Sequence, residues 1–160
     1  MTVEEIDLLY KDLCARIPYG VAYHWKGRTG EDDMPHYLNG MNDWMIFYIQ
    51  LGFVKPYLRS MESMTEEELR EFAKLKFKDD GVWEIVDFPE MKFGFRGFIN
   101  VLCRNKNNGD TWIYQVNTRT PLETYYGIDW LNENHFDYRG LIEKRLAIKV
   151  TPENNPYKES

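Results

Sequence analysis

Asn108-Gly109 is the pair of residues that most restricts the folding of this chain. It lies between two β-rich runs in the stretch FINVLCRNKNNGDTWIYQVN. Asn-Gly favours a two-residue hairpin turn of type I′, because both central residues take positive φ there. The pattern predicts a hairpin of about residues 96–105 against 110–117. Gly94 and Gly97 lie just upstream, where a bulge or a close backbone approach is expected.

Helical signals flank this β region. Thr2 followed by Glu5 forms a capping box, and Ile6, Leu9, Leu13 and Ile17 make one apolar stripe, so a helix is expected over about 2–17. Pro18 ends it, since the residue before proline avoids helical dihedrals. A second capping box, Thr65 with Glu68, starts a helix over about 65–77, with acids first and lysines last to match the macrodipole. Thr120-Pro121 with Glu123 predicts a third helix running to about Asn134. Between them, GVAYHWK, VKPYLR and VWEIVDF read as strands or extended segments. Trp44 to Leu51, WMIFYIQL, is apolar on both faces and reads as a central strand ended by Gly52. The closing TPENNPYKES has no apolar period and reads as a flexible tail, leaving one domain over 1–150. The expected fold is α+β: an antiparallel sheet of about four to six strands with about three helices packed on it.

Composition restricts function. The chain has 160 residues, enough to bury a core without disulfides or metals. Its formal net charge of −6 argues against non-specific nucleic-acid binding, which rests on neutralising phosphates. Aromatic residues reach 16%, which suits either an aromatic core or an adhesive surface. Cys14 and Cys103 stand apart, with no metal-type spacing, and read as reduced thiols of a cytoplasmic protein. The N-terminal residues lack a secretory layout, and no apolar run reaches membrane-spanning length.

Three places can carry chemistry. His135 and Asp137 in HFD would share a side if extended, and an Asp can orient a His for proton transfer. The competing reading is a helix end, with Asn134 in the left-handed conformation, Phe136 and Tyr138 anchored inward, and Asp137 paired with Arg139. In FGFRGF, Arg96 beside Phe95 and Phe98 can stack on a base or meet an anion, or simply belong to a bulged strand. His24 and His36 flank an acidic loop at a spacing that is poor for zinc, so no metal and no cofactor is expected. Phosphate-cradle and nucleophile-elbow motifs are absent from the sequence.

DLCARIPYGV (12–21), KPYLRSMESMTEEE (55–68) and IDWLNENHFDYRGLIEKRLAIKV (128–150) together resemble an uncharacterised family of proteins encoded in phages, prophages and mobile elements of gut Bacteroidales. The segments cover under a third of the chain, and WLN-x-x-HFDYRGLI is the specific phrase. The chain departs from the family pattern at Asn134, where a second His is common, and at Arg145, where Gly is common. The resemblance implies a context and no reaction. The expected function is that of a small binding or regulatory protein acting on a host protein partner, not an enzyme. The alternative is a nucleotide-like ligand or a hydrolytic site at Arg96, Phe95, Arg139 and His24 or His135.

Overall fold

The computed structural model describes residues 1–27, 30–31, 34–75, 81–88, 98–117 and 125–158. The fold is α+β. Read from sequence as one domain over 1–150, the chain divides into two compact units, Met1–Ser60 with Asn132–Ser160, and Met61–Leu131.

The first unit opens with α1, Val3–Arg16. Its capping box forms as the sequence predicts, with Glu5 N donating to Thr2 Oγ1 at 3.2 Å and Thr2 N to Glu5 Oε2 at 2.8 Å. Pro18 sits in a 3-10 turn, Ile17–Tyr19, and Gly20 closes it at φ +67. The strands are β1 (Ala22–Gly27), β2 (Gly30–Glu31), β3 (His36–Tyr37), β4 (Val54–Leu58) and, after the second unit, a short strand Ile148–Lys149. Both β2 and β3 pair with β1, and β1 pairs antiparallel with β4. Ile148–Lys149 lies parallel to β4, Tyr57 opposite Ile148, so this sheet is mixed rather than purely antiparallel. Leu9 and Leu13 of α1 pack with Val21, Val54, Leu58, Leu141 and Leu146 in one core.

Trp44–Leu51 is not a strand. It forms α2, Asp43–Gln50, capped by Asn42, whose side chain accepts from Met45 N at 2.9 Å. A run apolar on both faces has no period to separate helix from strand. The cap decides, and so does the C-terminus: Gly52 takes φ +72, with Gly52 N bonded to Ile49 O and Phe53 N to Tyr48 O. This is a Schellman ending, which only a left-handed residue permits.

In the second unit, α3 (Glu66–Leu75) carries its capping box, Glu68 N to Thr65 Oγ1 and Thr65 N to Glu68 Oε2. Leu69, Phe72 and Ala73 are its buried face. Strands β5 (Trp83–Asp87), β6 (Phe98–Asn105) and β7 (Thr111–Asn117) form an antiparallel sheet in that order. The β6–β7 hairpin has the predicted register region, Phe98 opposite Asn117 and Arg104 opposite Thr111. Its turn differs. Asn105 N bonds Asp110 O, so the loop runs from Lys106 to Gly109, and Gly109 alone takes positive φ. Asn108 instead ties the loop through its side chain to Asp110. The last helix, α4, spans Tyr125–Glu133, and its Trp130 ring lies 5.5 Å from that of Phe72. The predicted start at Thr120-Pro121 lies outside the described residues. With α4 named, Ile148–Lys149 is β8 in chain order.

Candidate functional site

The residue that ends α4 is His135, not Asn134. His135 takes φ +58, and its N–H donates to Asn132 O at 3.1 Å. The chain then extends β4 by one rung, with Arg59 N bonded to His135 O (2.9 Å) and Asp137 N to Arg59 O (2.8 Å). Phe136 is buried under the Arg59 guanidinium, 4.2 Å from its ring centre. Because His135 is left-handed, the period of two that would align it with Asp137 is broken.

The two side chains have separate tasks. Asp137 accepts from Leu141 N at 2.9 Å and Ile142 N at 2.7 Å, which ties down the turn after Gly140. The His135 ring lies flat on Tyr157, with centroids 3.8 Å apart and planes 9° apart. Its Nδ1 is buried with no hydrogen-bond partner among the described residues. Burial, with the Arg16 and Arg59 charges added, pushes the His135 pKa down to about 4, so the ring is neutral near pH 7. His135 and Asp137 do not form a dyad.

Tyr157 belongs to the segment that reads from sequence as a flexible tail. Here its hydroxyl donates to Tyr57 O at 2.7 Å and accepts from Ala22 N at 3.1 Å. The β1–β4 ladder explains why that slot exists. Tyr23 faces Pro56 and His24 faces Lys55, and Lys26 N bonds Phe53 O. Antiparallel rungs recur every second residue, so Ala22 and Tyr57 are the next pair. The phenol occupies that rung. Burial pushes its pKa up.

Beneath this latch lies a buried ion pair that the sequence reading missed. Arg16 donates to Asp12 through Nε (2.8 Å) and Nη2 (2.9 Å), both side chains being 0% exposed. Nη2 also reaches Phe136 O at 2.8 Å. The signal was available: Asp12 and Arg16 are four apart on the helix face that carries Leu9 and Leu13. Arg139 approaches Asp12 at 3.8 Å and lies over the Tyr138 ring, rather than pairing with Asp137. Tyr138 itself donates to Asn132.

The other candidates lie elsewhere. His24 is half-buried on β1 opposite Lys55. His36 packs against Tyr23 and Trp25. Phe95 and Arg96 lie outside the described residues. Among the described residues, no group of three or more His, Cys, Asp or Glu could hold a metal ion. Neither Cys14 nor Cys103 is in a disulfide.

A different surface stands out. On α2, Trp44 is 69% exposed and Phe47 42%, and Leu51 just beyond is 44% exposed. Their spacing of three and four places them on one face, while Ile49 is buried on the other. The Trp44 ring packs 6.5 Å from Phe47 and 6.4 Å from Tyr48, which meets Trp25 and Phe53 behind it. No charged residue occurs from Trp44 to Phe53. An open cleft of about 470 Å³ begins at the first turn of α2, lined by Tyr23, Tyr37, Met41, Asn42 and Met45.

Comparisons of the chain with protein families, with curated proteins and with solved structures found no match. Among the described residues, no helix is long and apolar enough to cross a membrane.

Proposed function

We propose that the chain is a small cytosolic binding protein of a phage or mobile element that acts on a host protein through the exposed face of α2. The observation that carries this reading is the Trp44–Phe47–Leu51 surface. A tryptophan left mostly in water on a helix with no charge after its first residue, Asp43, is costly to leave bare, and buried aromatics dominate the energy of protein interfaces. The net charge of −6 supports a partner with a basic rim, which would be steered toward this face. The phage context rests on the resemblance of the 12–21, 55–68 and 128–150 segments. The reading of a nucleotide-like ligand or hydrolysis at His135 loses support from the Tyr157 ring on His135 and from the two backbone bonds held by Asp137.

The test is affinity capture from a gut Bacteroidales lysate by the wild type and by the Trp44→Ala/Phe47→Ala variant. The expected result is one stoichiometric partner whose affinity falls at least about tenfold in a variant of unchanged fold. A partner held equally by both proteins, or none above background, sinks the reading.

A further inference from the structure

Residues 151–158 lie on the first unit as a strap with few ties to it. Most of its hydrogen bonds are internal. Thr151 N donates to Asn154 Oδ1, Tyr157 N to Asn155 Oδ1 and Lys158 Nζ to Pro152 O. Asn154 Nδ2 reaches back only to Lys149 O. Beyond that, among the described residues, two side chains join it to the sheet. Tyr37 Oη donates to Pro156 O at 2.7 Å from an exposed position. Tyr157 is the pin, with its hydroxyl between Ala22 N and Tyr57 O and its ring on His135. Residues 152–154 are exposed, and no strap residue belongs to the apolar core of the unit. A segment with one inserted side chain and little buried apolar surface opens well below the free energy of global unfolding.

His135 lies under that pin and is 7% exposed. The charges around it come from every neighbouring element. From α1, Arg16 holds Asp12, which Arg139 also approaches. From the residue after β4, Arg59 lies over the Phe136 ring. Asp137 holds the Leu141 and Ile142 amides, Glu133 at the end of α4 is exposed, and Lys158 of the strap is bonded to Pro152 O. Arg16 and Arg59 bear on the ring, and both oppose a proton there. With the phenol withdrawn, water reaches the imidazole, which then regains its ordinary affinity for a proton. Proton uptake therefore favours the open strap.

We infer that residues 151–158 are an acid-released strap: protonation of His135 withdraws Tyr157 from the β1–β4 rung while the remainder of the first unit stays folded. The strap's second tie, Tyr37, lines the open cleft at the first turn of α2, so release also frees one wall of that cleft.

Amide hydrogen exchange on the full chain tests it. Ala22 reports on the pin, which holds its N–H, and Leu13 reports on the core, being buried inside α1. After correction for intrinsic rates, the opening equilibrium at Ala22 should exceed that at Leu13 at least about tenfold at pH 7. It should rise about tenfold between pH 7 and 5, as the uncovered ring takes up its proton. In His135→Asn, which has no proton to bind, that rise should vanish. Ala22 opening no more often than Leu13 overturns the strap, since the pin then releases only on global unfolding. An opening at Ala22 that ignores pH in the wild type, or an unchanged rise in His135→Asn, overturns the acid release. Where His135→Asn does not fold, the two wild-type amides decide.

Discussion

The imidazole of His135 lies flat against the phenol of Tyr157, and the same phenol spans Ala22 and Tyr57 where the β1–β4 ladder would place its next rung. One aromatic contact and two hydrogen bonds thus tie the C-terminal segment, the end of α4 and two neighbouring strands at a single point. The hydroxyl is the part that can be removed alone. Tyr157→Phe keeps the ring stack and leaves a buried N–H and C=O unbridged, which should lower stability by about 1–3 kcal/mol. Urea unfolding measures it; a loss below about 0.5 kcal/mol would show that the strands close the rung by themselves.

His135 also makes stability depend on pH. Its folded pKa is about 4, below the ordinary 6.5. Between these values the unfolded state binds the proton and the folded state does not. Stability from this group is therefore complete above about pH 6.5 and falls as pH drops toward 4, by about 1 kcal/mol per unit. His135→Asn tolerates the left-handed backbone and has no proton to bind. Unfolding curves from pH 7 to 4.5 should be steeper in pH for the wild type than for this variant. Parallel slopes would refute the titration.

Asp12 and Arg16 form a buried pair, with Phe136 O on the Arg16 side and Arg139 at 3.8 Å on the Asp12 side, and removing Asp12 takes the carboxylate from a fully buried guanidinium. Asp12→Ala should cost about 3–5 kcal/mol, whereas replacing both by apolar residues of similar size should recover most of the loss. A double-mutant cycle reads the coupling. Additive losses would mean that Arg16 is held mainly by Phe136 O.

The two left-handed residues other than glycine among the described residues, His135 and Arg145, should respond in opposite directions to glycine. Arg145→Gly releases about 1–2 kcal/mol of backbone strain and gives back part of it as unfolded-chain entropy, for a net gain of about 0.5–1 kcal/mol. His135→Gly releases the same strain but loses the buried stack, so it should destabilise. Thermal melts of both variants check the pair, and the same sign for both would contradict it.

Trp44→Ala should leave stability within about 0.5 kcal/mol, because most of the ring is already in water. A larger loss in urea unfolding would mark Trp44 as part of the packing behind Tyr48 and remove it as a docking residue.

What could be read from sequence was local. The capping boxes at Thr2–Glu5 and Thr65–Glu68 and the β6–β7 hairpin each write their signal within a few residues, and each is present. The identity of α2 was written in Asn42, outside the apolar run, while the run itself carried no usable period. The hairpin turn shows the same limit at finer scale, since Asn108 keeps negative φ and uses its side chain instead. Tyr157 and Ala22 are 135 residues apart, and β4 with β8 about ninety, so no spacing rule links them. The candidate site suffered most from this. His135 and Asp137 are adjacent in any pattern, yet the groups that determine what each does, Tyr157 and the Leu141 and Ile142 amides, follow only from the fold.

The rung filled by Tyr157 also sets an order of events during synthesis. Strands β1 and β4 leave the ribosome early, but the hydroxyl that joins Ala22 to Tyr57 and the parallel strand that flanks β4 emerge only after the whole of 61–131 has been made. A chain interrupted in that interval carries a sheet with an open edge along β4, the kind of edge that recruits another strand. Translation speed through the middle segment therefore bears on how much of the first unit reaches its final form.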